Sequence, residues 1–233
     1  MLLGAARYLA RHRDFDGTVH LLFQPGEEGF AGAQAMIDDG LFERFPCDAV
    51  YAMHNWPALP PGKIAVRPGP MMAAADRITI TVEGRGGHGA HPYQNIDPVL
   101  VAAHIITAAQ SIVSRNVHPL DAAVVSLCAI EAGNLGAMSV VPREARIVGT
   151  VRTFKPETQD MIEARLSALA ASVASGFGAQ AQLHYERIYP ATINSRDEAL
   201  FGQQVAAELV GPENLIDDLD PSMGAEDFSF MLR

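Results

Sequence analysis

Two adjacent carboxylates, Glu27 and Glu28, stand in the stretch Phe23-Gln24-Pro25-Gly26-Glu27-Glu28-Gly29, directly after an apolar run. Neighbouring residues point in different directions, so the pair can divide its work. Glu28 could grip a metal ion while Glu27 takes a proton from a metal-bound water, the chemistry of a metal-dependent hydrolase. The plainer reading is a solvated turn, because adjacent acids are common on surfaces. Context favours chemistry: His54-Asn55-Trp56-Pro57 ends the next apolar run and offers a neutral imidazole of the kind zinc and its neighbours prefer.

Further residues invite the same question. Gly84-Arg85-Gly86-Gly87-His88-Gly89-Ala90-His91-Pro92 places two imidazoles on a flexible backbone, where they could donate hydrogen bonds to a developing oxyanion. A phosphate-loop reading fails because no Lys-Ser/Thr follows; the alternative is a plain β–α connection with incidental histidines. In Gly149-Thr150-Val151-Arg152-Thr153, Arg152 is a candidate clamp for a substrate carboxylate, which a guanidinium binds bidentately, or else an ordinary strand arginine. The acids of Gly224-Ala225-Glu226-Asp227-Phe228 either cap a helix or line the site wall. His12, His20, His104, His118 and His184 have no partner pattern and are read as structural.

The elements that must position these residues follow from periodicity. Leu2 to Arg13 reads as a helix, Gly17 to Gln24 and Ala49 to Met53 as strands buried on both faces, and Ala31 to Asp39 as a short helix between them. Both candidate groups then sit at strand ends, where open α/β sheets form their sites. From Asp76 the pattern changes. A strand alternating at Ile78, Ile80 and Val82 leads to a helix from about Ile96 to Ser114, then strands over Ala122 to Ala132 and Glu144 to Phe154. A helix over Pro156 to Ser175 and a strand over Ala179 to Tyr189 complete the order β-α-β-β-α-β of a ferredoxin-like unit. Helix returns over Ser195 to Val210 and from Ala225 to Leu232. The expected architecture is an α/β domain over 1–75 and 190–233, interrupted by an inserted ferredoxin-like domain over 76–189.

Composition sets the outer bounds. The 233 residues are 48% hydrophobic and 19% charged, as in a folded globular protein, and the formal charge of −10 argues against nucleic-acid and anionic-membrane partners. The two cysteines, Cys47 and Cys128, form neither a metal-type pair nor a disulfide framework. With no signal-peptide pattern at the start, the expected compartment is the reducing cytoplasm. No uninterrupted apolar run reaches the roughly 18 residues of a membrane span.

Taken together, Gln24–Gly29, Met53–Pro57, Gly87–Pro92, Gly149–Arg152 and Gly224–Phe228 resemble, in order and spacing, the M20 metallopeptidases. The match is to the amidohydrolase subgroup that includes hippurate hydrolases, N-acyl-amino-acid amidohydrolases and auxin-conjugate hydrolases. The resemblance implies a zinc-peptidase-like α/β domain whose inserted domain serves as lid and dimerisation surface, giving a homodimer. It implies Glu27 as general base and later acid, and Glu28 and His54 as ligands of a centre of two divalent ions (zinc, manganese, cobalt or nickel). It implies His88 as an imidazole reaching the partner's site across the dimer interface. Arg152 would hold the carboxylate of a small N-acyl amino acid, and Ser139 would be a substrate contact at a position where many members carry Asn.

The family pattern also includes a Cys-x-His-Asp-x-His-type segment with two ligands, which would precede Met1, and a last histidine ligand, which would follow Arg233. The expectation is therefore an internal fragment of an amidohydrolase that binds metal weakly and hydrolyses nothing at a useful rate. Two other readings stand beside it. One is a non-catalytic dimerisation or ligand-binding module built on the ferredoxin-like unit. The other is a di- or tripeptidase of the same superfamily, disfavoured by His54, where those groups more often place an acid.

Overall fold

In chain order the elements are α1 (Leu2–Leu9), α2 (Gly32–Asp38), α3 (Leu41–Arg44), β1 (Ile64–Ala65), β2 (Gly69–Met72), β3 (Ala74–Glu83), β4 (Gly87–His88), α4 (Pro98–Asn116), β5 (Ala123–Ala132), β6 (Val140–Val141), β7 (Glu144–Thr153), α5 (Pro156–Gly176), β8 (Gln180–Tyr189), β9 (Thr192–Asn194), α6 (Arg196–Val210) and β10 (Leu215–Ile216). A 3₁₀ helix over Asp227–Leu232 follows. The computed structural model describes residues 1–233, which divide into two units. Met1–Met71, Thr192–Pro221 and Glu226–Arg233 form the first; Met72–Ala191 and Ser222–Ala225 form the second.

In the second unit the period-two pattern holds along β3, where Ile78, Ile80 and Val82 are fully buried and the residues between them are not. The strand lies inside a four-stranded antiparallel sheet of order β5-β7-β3-β8. Helices α4 and α5 cover one face, bringing Val101, Ile105 and Ile112 and then Ile162 and Leu166 against Ile147 and Val151 of β7. Helix α4 starts where the sequence provides both devices for starting one: the Asp97 carboxylate accepts the Val99 N–H at 2.9 Å, and Pro98 occupies the first turn. By length and composition α4 is apolar enough to cross a membrane, although His104, Thr107 and Gln110 keep it from being an uninterrupted apolar run. Its buried stripe of Val101, Ala102, Ile105, Ala109 and Ile112 packs into the core instead.

A register shift between Leu127 and Ala129 leaves Cys128 as an extra residue on β5. The bulge brings the β5 backbone onto β7, where a Cβ at Gly149 would stand 2.2 Å from the Ser126 carbonyl oxygen. Asp76 is a buried carboxylate on the helix-covered face. Its carboxylate accepts both contacts of the Gln159 amide at 2.8 Å and the Tyr185 hydroxyl at 2.5 Å. Burial raises its pKa above the ordinary 3.8, a rise that the Tyr185 and Gln159 hydrogen bonds and the charge of Arg187 oppose and that Glu163 adds to.

The first unit has a smaller core of Ala33, Leu41 and Met231, with Met36, Ile37, Phe42, Phe228 and Phe230 packed against it. Strand β1 pairs in parallel with β10, and β2 and β9 form a separate two-stranded sheet. Three sequence expectations are corrected here. Residues 18–24 and 49–53 belong to no ladder, so neither expected strand forms. Only one side of each segment reaches the core, through Leu22 and Val50, while Val19, Phe23, Tyr51 and Met53 are exposed. A strand is defined by its hydrogen-bonded neighbours, and an apolar run cannot supply them. The expected helix over 2–13 is confined to α1, none of whose residues is buried, so no tertiary packing prolongs it. The last element is a 3₁₀ helix opening at Asp227, not an α-helix from Ala225.

Candidate general-base and metal site

The turn that carries Glu27 and Glu28 is shaped by glycine. Gly26 at φ 61° and Gly29 at φ 91° take left-handed conformations on either side of the pair, and the turn closes through Phe30 N–H to the Gly26 carbonyl at 3.2 Å. Directly beyond, helix α2 runs hard against the turn. A Cβ at Gly32 would lie 1.6 Å from the Pro25 carbonyl oxygen, so only glycine fits. The two acids part as adjacent side chains should: Glu27 is half-buried and Glu28 exposed.

Asp227 fastens this turn from the far end of the chain. Fully buried, it accepts the Ala33 N–H of α2 through Oδ2 at 2.9 Å and the Gln24 side-chain amide through Oδ1. Next to it, Glu226 caps the 3₁₀ helix by accepting the Phe228 N–H through Oε1 at 3.1 Å. Its other oxygen lies 3.8 Å from His54 Nε2. Ligand-capable oxygens of Glu27, Glu226 and Asp227 all fall within 4.8 Å of one another. Of the two readings of the Gly224–Phe228 acids, the helix cap is present at Glu226, which also belongs to the carboxylate cluster.

Crowded carboxylates resist ionisation. Burial raises the Glu27 pKa above its ordinary 4.5, and the negative charges of Glu226, Asp227 and Glu28 raise it further, against the opposing effect of His54. The tautomer of His54 follows from its partner. Nδ1 lies 2.6 Å from the Asn55 carbonyl oxygen, which can only accept, so Nδ1 donates that contact and Nε2 is the ring nitrogen left to face a cation. A histidine oriented through one ring nitrogen by a carbonyl is the usual form of a metal ligand. Hard oxygen donors with an imidazole at their rim fit a divalent cation.

The structure therefore brings together Glu27 and His54 but surrounds them with Glu226 and Asp227, which sequence reasoning did not select as ligands. Their signal was the adjacent acids of Glu226-Asp227; nothing local showed that they fold back onto a turn about 200 residues earlier.

His88, Ser139 and Arg152 lie in the second unit. His88 pairs with Val140 across the β4–β6 ribbon, and Gly89 N–H donates to the Ser139 carbonyl at 2.8 Å, so His88 and Ser139 are neighbours. His88 Nδ1 accepts the Ala90 N–H at 3.1 Å, which leaves the ring proton on Nε2, the donor arrangement that an oxyanion requires. Arg152 is half-buried on β7.

Comparison with known proteins agrees with this chemistry. The pattern of the family described as Peptidase family M20/M25/M40 matches residues 1–233. Hippurate hydrolase of Campylobacter jejuni is 41% identical over 229 residues, covering 98% of this chain and 59% of that protein. N-acetylcysteine deacetylase of Bacillus subtilis is 37% identical, covering 98% of this chain and 58% of that protein. A Bacillus subtilis crystal structure described as a dinuclear metal binding peptidase from the M20 family superposes with a TM-score of 0.79 at 32% identity, covering 99% of this chain and 57% of that one. The chain thus spans a little under three fifths of the length of the relatives it matches. A family match over its whole extent settles its membership: the chain belongs to the M20/M25/M40 peptidase family.

Proposed function

We propose that these residues serve a metal-dependent amidohydrolase that cleaves the amide bond of N-acyl amino acids of the hippurate type. The observation that carries the reading is the convergence of Glu27, Glu226 and Asp227 within 4.8 Å, with His54 Nε2 at its rim. The hippurate hydrolase and N-acetylcysteine deacetylase relatives support the class of substrate. The activity is proposed for a protein of the relatives' full extent that carries these residues; the 233-residue chain alone is expected to bind a divalent cation weakly.

His54 and Glu226 would hold the cation together with the exposed Glu28, and the relative described as dinuclear supports a pair of ions. When bound, the ions acidify a water and polarise the amide carbonyl. Glu27 takes the water's proton, a role that its crowded and partly buried carboxylate suits, and then delivers it to the leaving amine. His88 would donate from Nε2 to the oxyanion in the partner subunit's site, Arg152 would receive the substrate carboxylate, and Ser139, beside His88, would be a substrate contact. The second unit is read as an inserted ferredoxin-like lid, on the strength of its β-α-β-β-α-β order. Pairing of two copies through this unit is supported by the edge position of β5, where Ile130 is exposed. The exposed free thiols of Cys47 and Cys128 suit a reducing cytoplasm.

The test is calorimetric titration of the chain with Mn²⁺ and Zn²⁺, alone and as Glu27→Gln, together with benzoate release from N-benzoylglycine by a protein of the relatives' full extent. Cation binding and chelator-sensitive release are expected. Release that persists in full after chelation, or in the Glu27→Gln variant, contradicts the reading.

A further inference from the structure

Arg152 reaches its position through a chain of two directed hydrogen bonds. The Thr150 hydroxyl donates its single proton to the Asp76 backbone carbonyl at 2.8 Å. Its lone pairs are then free to accept, and Arg152 Nε–H donates to the same oxygen at 3.1 Å. Thr150 and Arg152 are two apart on β7, so both project from the same face of the sheet. Asp76 is a firm anchor: opposite Val151 in the ladder, it is itself held by Gln159 of α5 and Tyr185 of β8.

This arrangement has a geometric consequence. A guanidinium offers two bidentate edges to a carboxylate, one formed by Nε with a terminal nitrogen and one by the two terminal nitrogens. Thr150 occupies Nε, which leaves the Nη1–Nη2 edge. Thr150 also removes freedom from a long side chain whose ordering otherwise opposes binding.

We propose that Thr150 is a positioning residue that fixes Arg152 so that a carboxylate ligand meets the Nη1–Nη2 edge of its guanidinium. The inference rests on the reading of Arg152 as the carboxylate-binding group. It adds a residue to that reading and states which edge is used.

The experiment uses the 233-residue chain with three substitutions: Thr150→Val, which keeps the shape and suits a strand, Thr150→Ser, which restores the hydroxyl, and Arg152→Ala. Nitrogen-15 spectra assign the Arg152 Nε–H by its loss in Arg152→Ala and measure its exchange with solvent. Titrations with N-benzoylglycine and with its carboxamide, N-benzoylglycinamide, measure the preference for the acid. The expected result is a protected Nε–H in the native chain, exposed by Thr150→Val and protected again by Thr150→Ser. Thr150→Val should also weaken acid binding about tenfold while leaving the carboxamide unchanged, with Thr150→Ser near native.

Equal losses for acid and carboxamide would mark a merely structural role and overturn the inference. So would native acid binding in Thr150→Val while Arg152→Ala loses it, which leaves Arg152 as the carboxylate group but not Thr150 as its guide. An acid preference that survives Arg152→Ala, or no acid binding by the native chain, removes the carboxylate reading and the inference with it.

Discussion

Asp227 Oδ2 accepts the Ala33 N–H at 2.9 Å, although the two residues stand 194 positions apart. Through this bond the acidic Glu226-Asp227 pair is fixed to the first turn of α2, and Asp227 also receives the Gln24 amide that precedes the Glu27 turn. Replacing Asp227 by Ala strands a buried N–H and loosens that amide, so a loss of about 2–4 kcal/mol is expected. Urea unfolding measures it. A midpoint unchanged from the native chain would mean that the bond holds nothing in place.

Asp76 gives a pH dependence with a definite sign. Its folded pKa is raised, chiefly by burial, so the folded state takes up this proton at a higher pH than the unfolded chain does. Its contribution to stability therefore grows as the pH falls through the raised folded value and levels off below the ordinary 3.8. Relative to Asp76→Asn, the native chain should gain stability across that interval and lose ground above it. Paired urea unfolding curves at stepped pH check this, and a difference that is flat or of opposite slope refutes it.

Gly149 predicts a backbone effect without loss of any side chain. A Cβ there would stand 2.2 Å from the Ser126 carbonyl oxygen, backbone that cannot step aside. Gly149→Ala should push β5 away from β7 at the Cys128 bulge. Amide exchange should quicken along Ala123–Ala132 first, while the β3–β8 ladder stays protected; uniform quickening would assign the cost elsewhere.

The second unit was legible because its pattern is local. Ile78, Ile80 and Val82 declare a strand, Asp97-Pro98 declares a helix start, and β3, α4, β5, β7, α5 and β8 lie within about two residues of their expected limits, whereas the short β4 and β6 fall in what reads as turn and loop. The first unit was less so. The apolar runs of 19–23 and 49–53 read as buried strands, but pairing depends on neighbours that a run of residues does not encode. The candidate site divides the same way. Glu27, His54, His88 and Arg152 stand out in the sequence through nearby glycines and the ends of apolar runs. The nearness of Glu226 and Asp227 to Glu27 is a tertiary fact, and Thr150 beneath Arg152 is visible only in hydrogen-bond geometry.

On the proposed function, His54 and Glu226 hold a divalent cation beside the general base Glu27. Calorimetric titration of the chain with Mn²⁺, repeated for Glu226→Gln and His54→Ala, tests it most directly. Weak saturable binding is expected, reduced on the order of tenfold or more in each variant. Binding of equal strength in all three proteins, or none in the native chain, would contradict it.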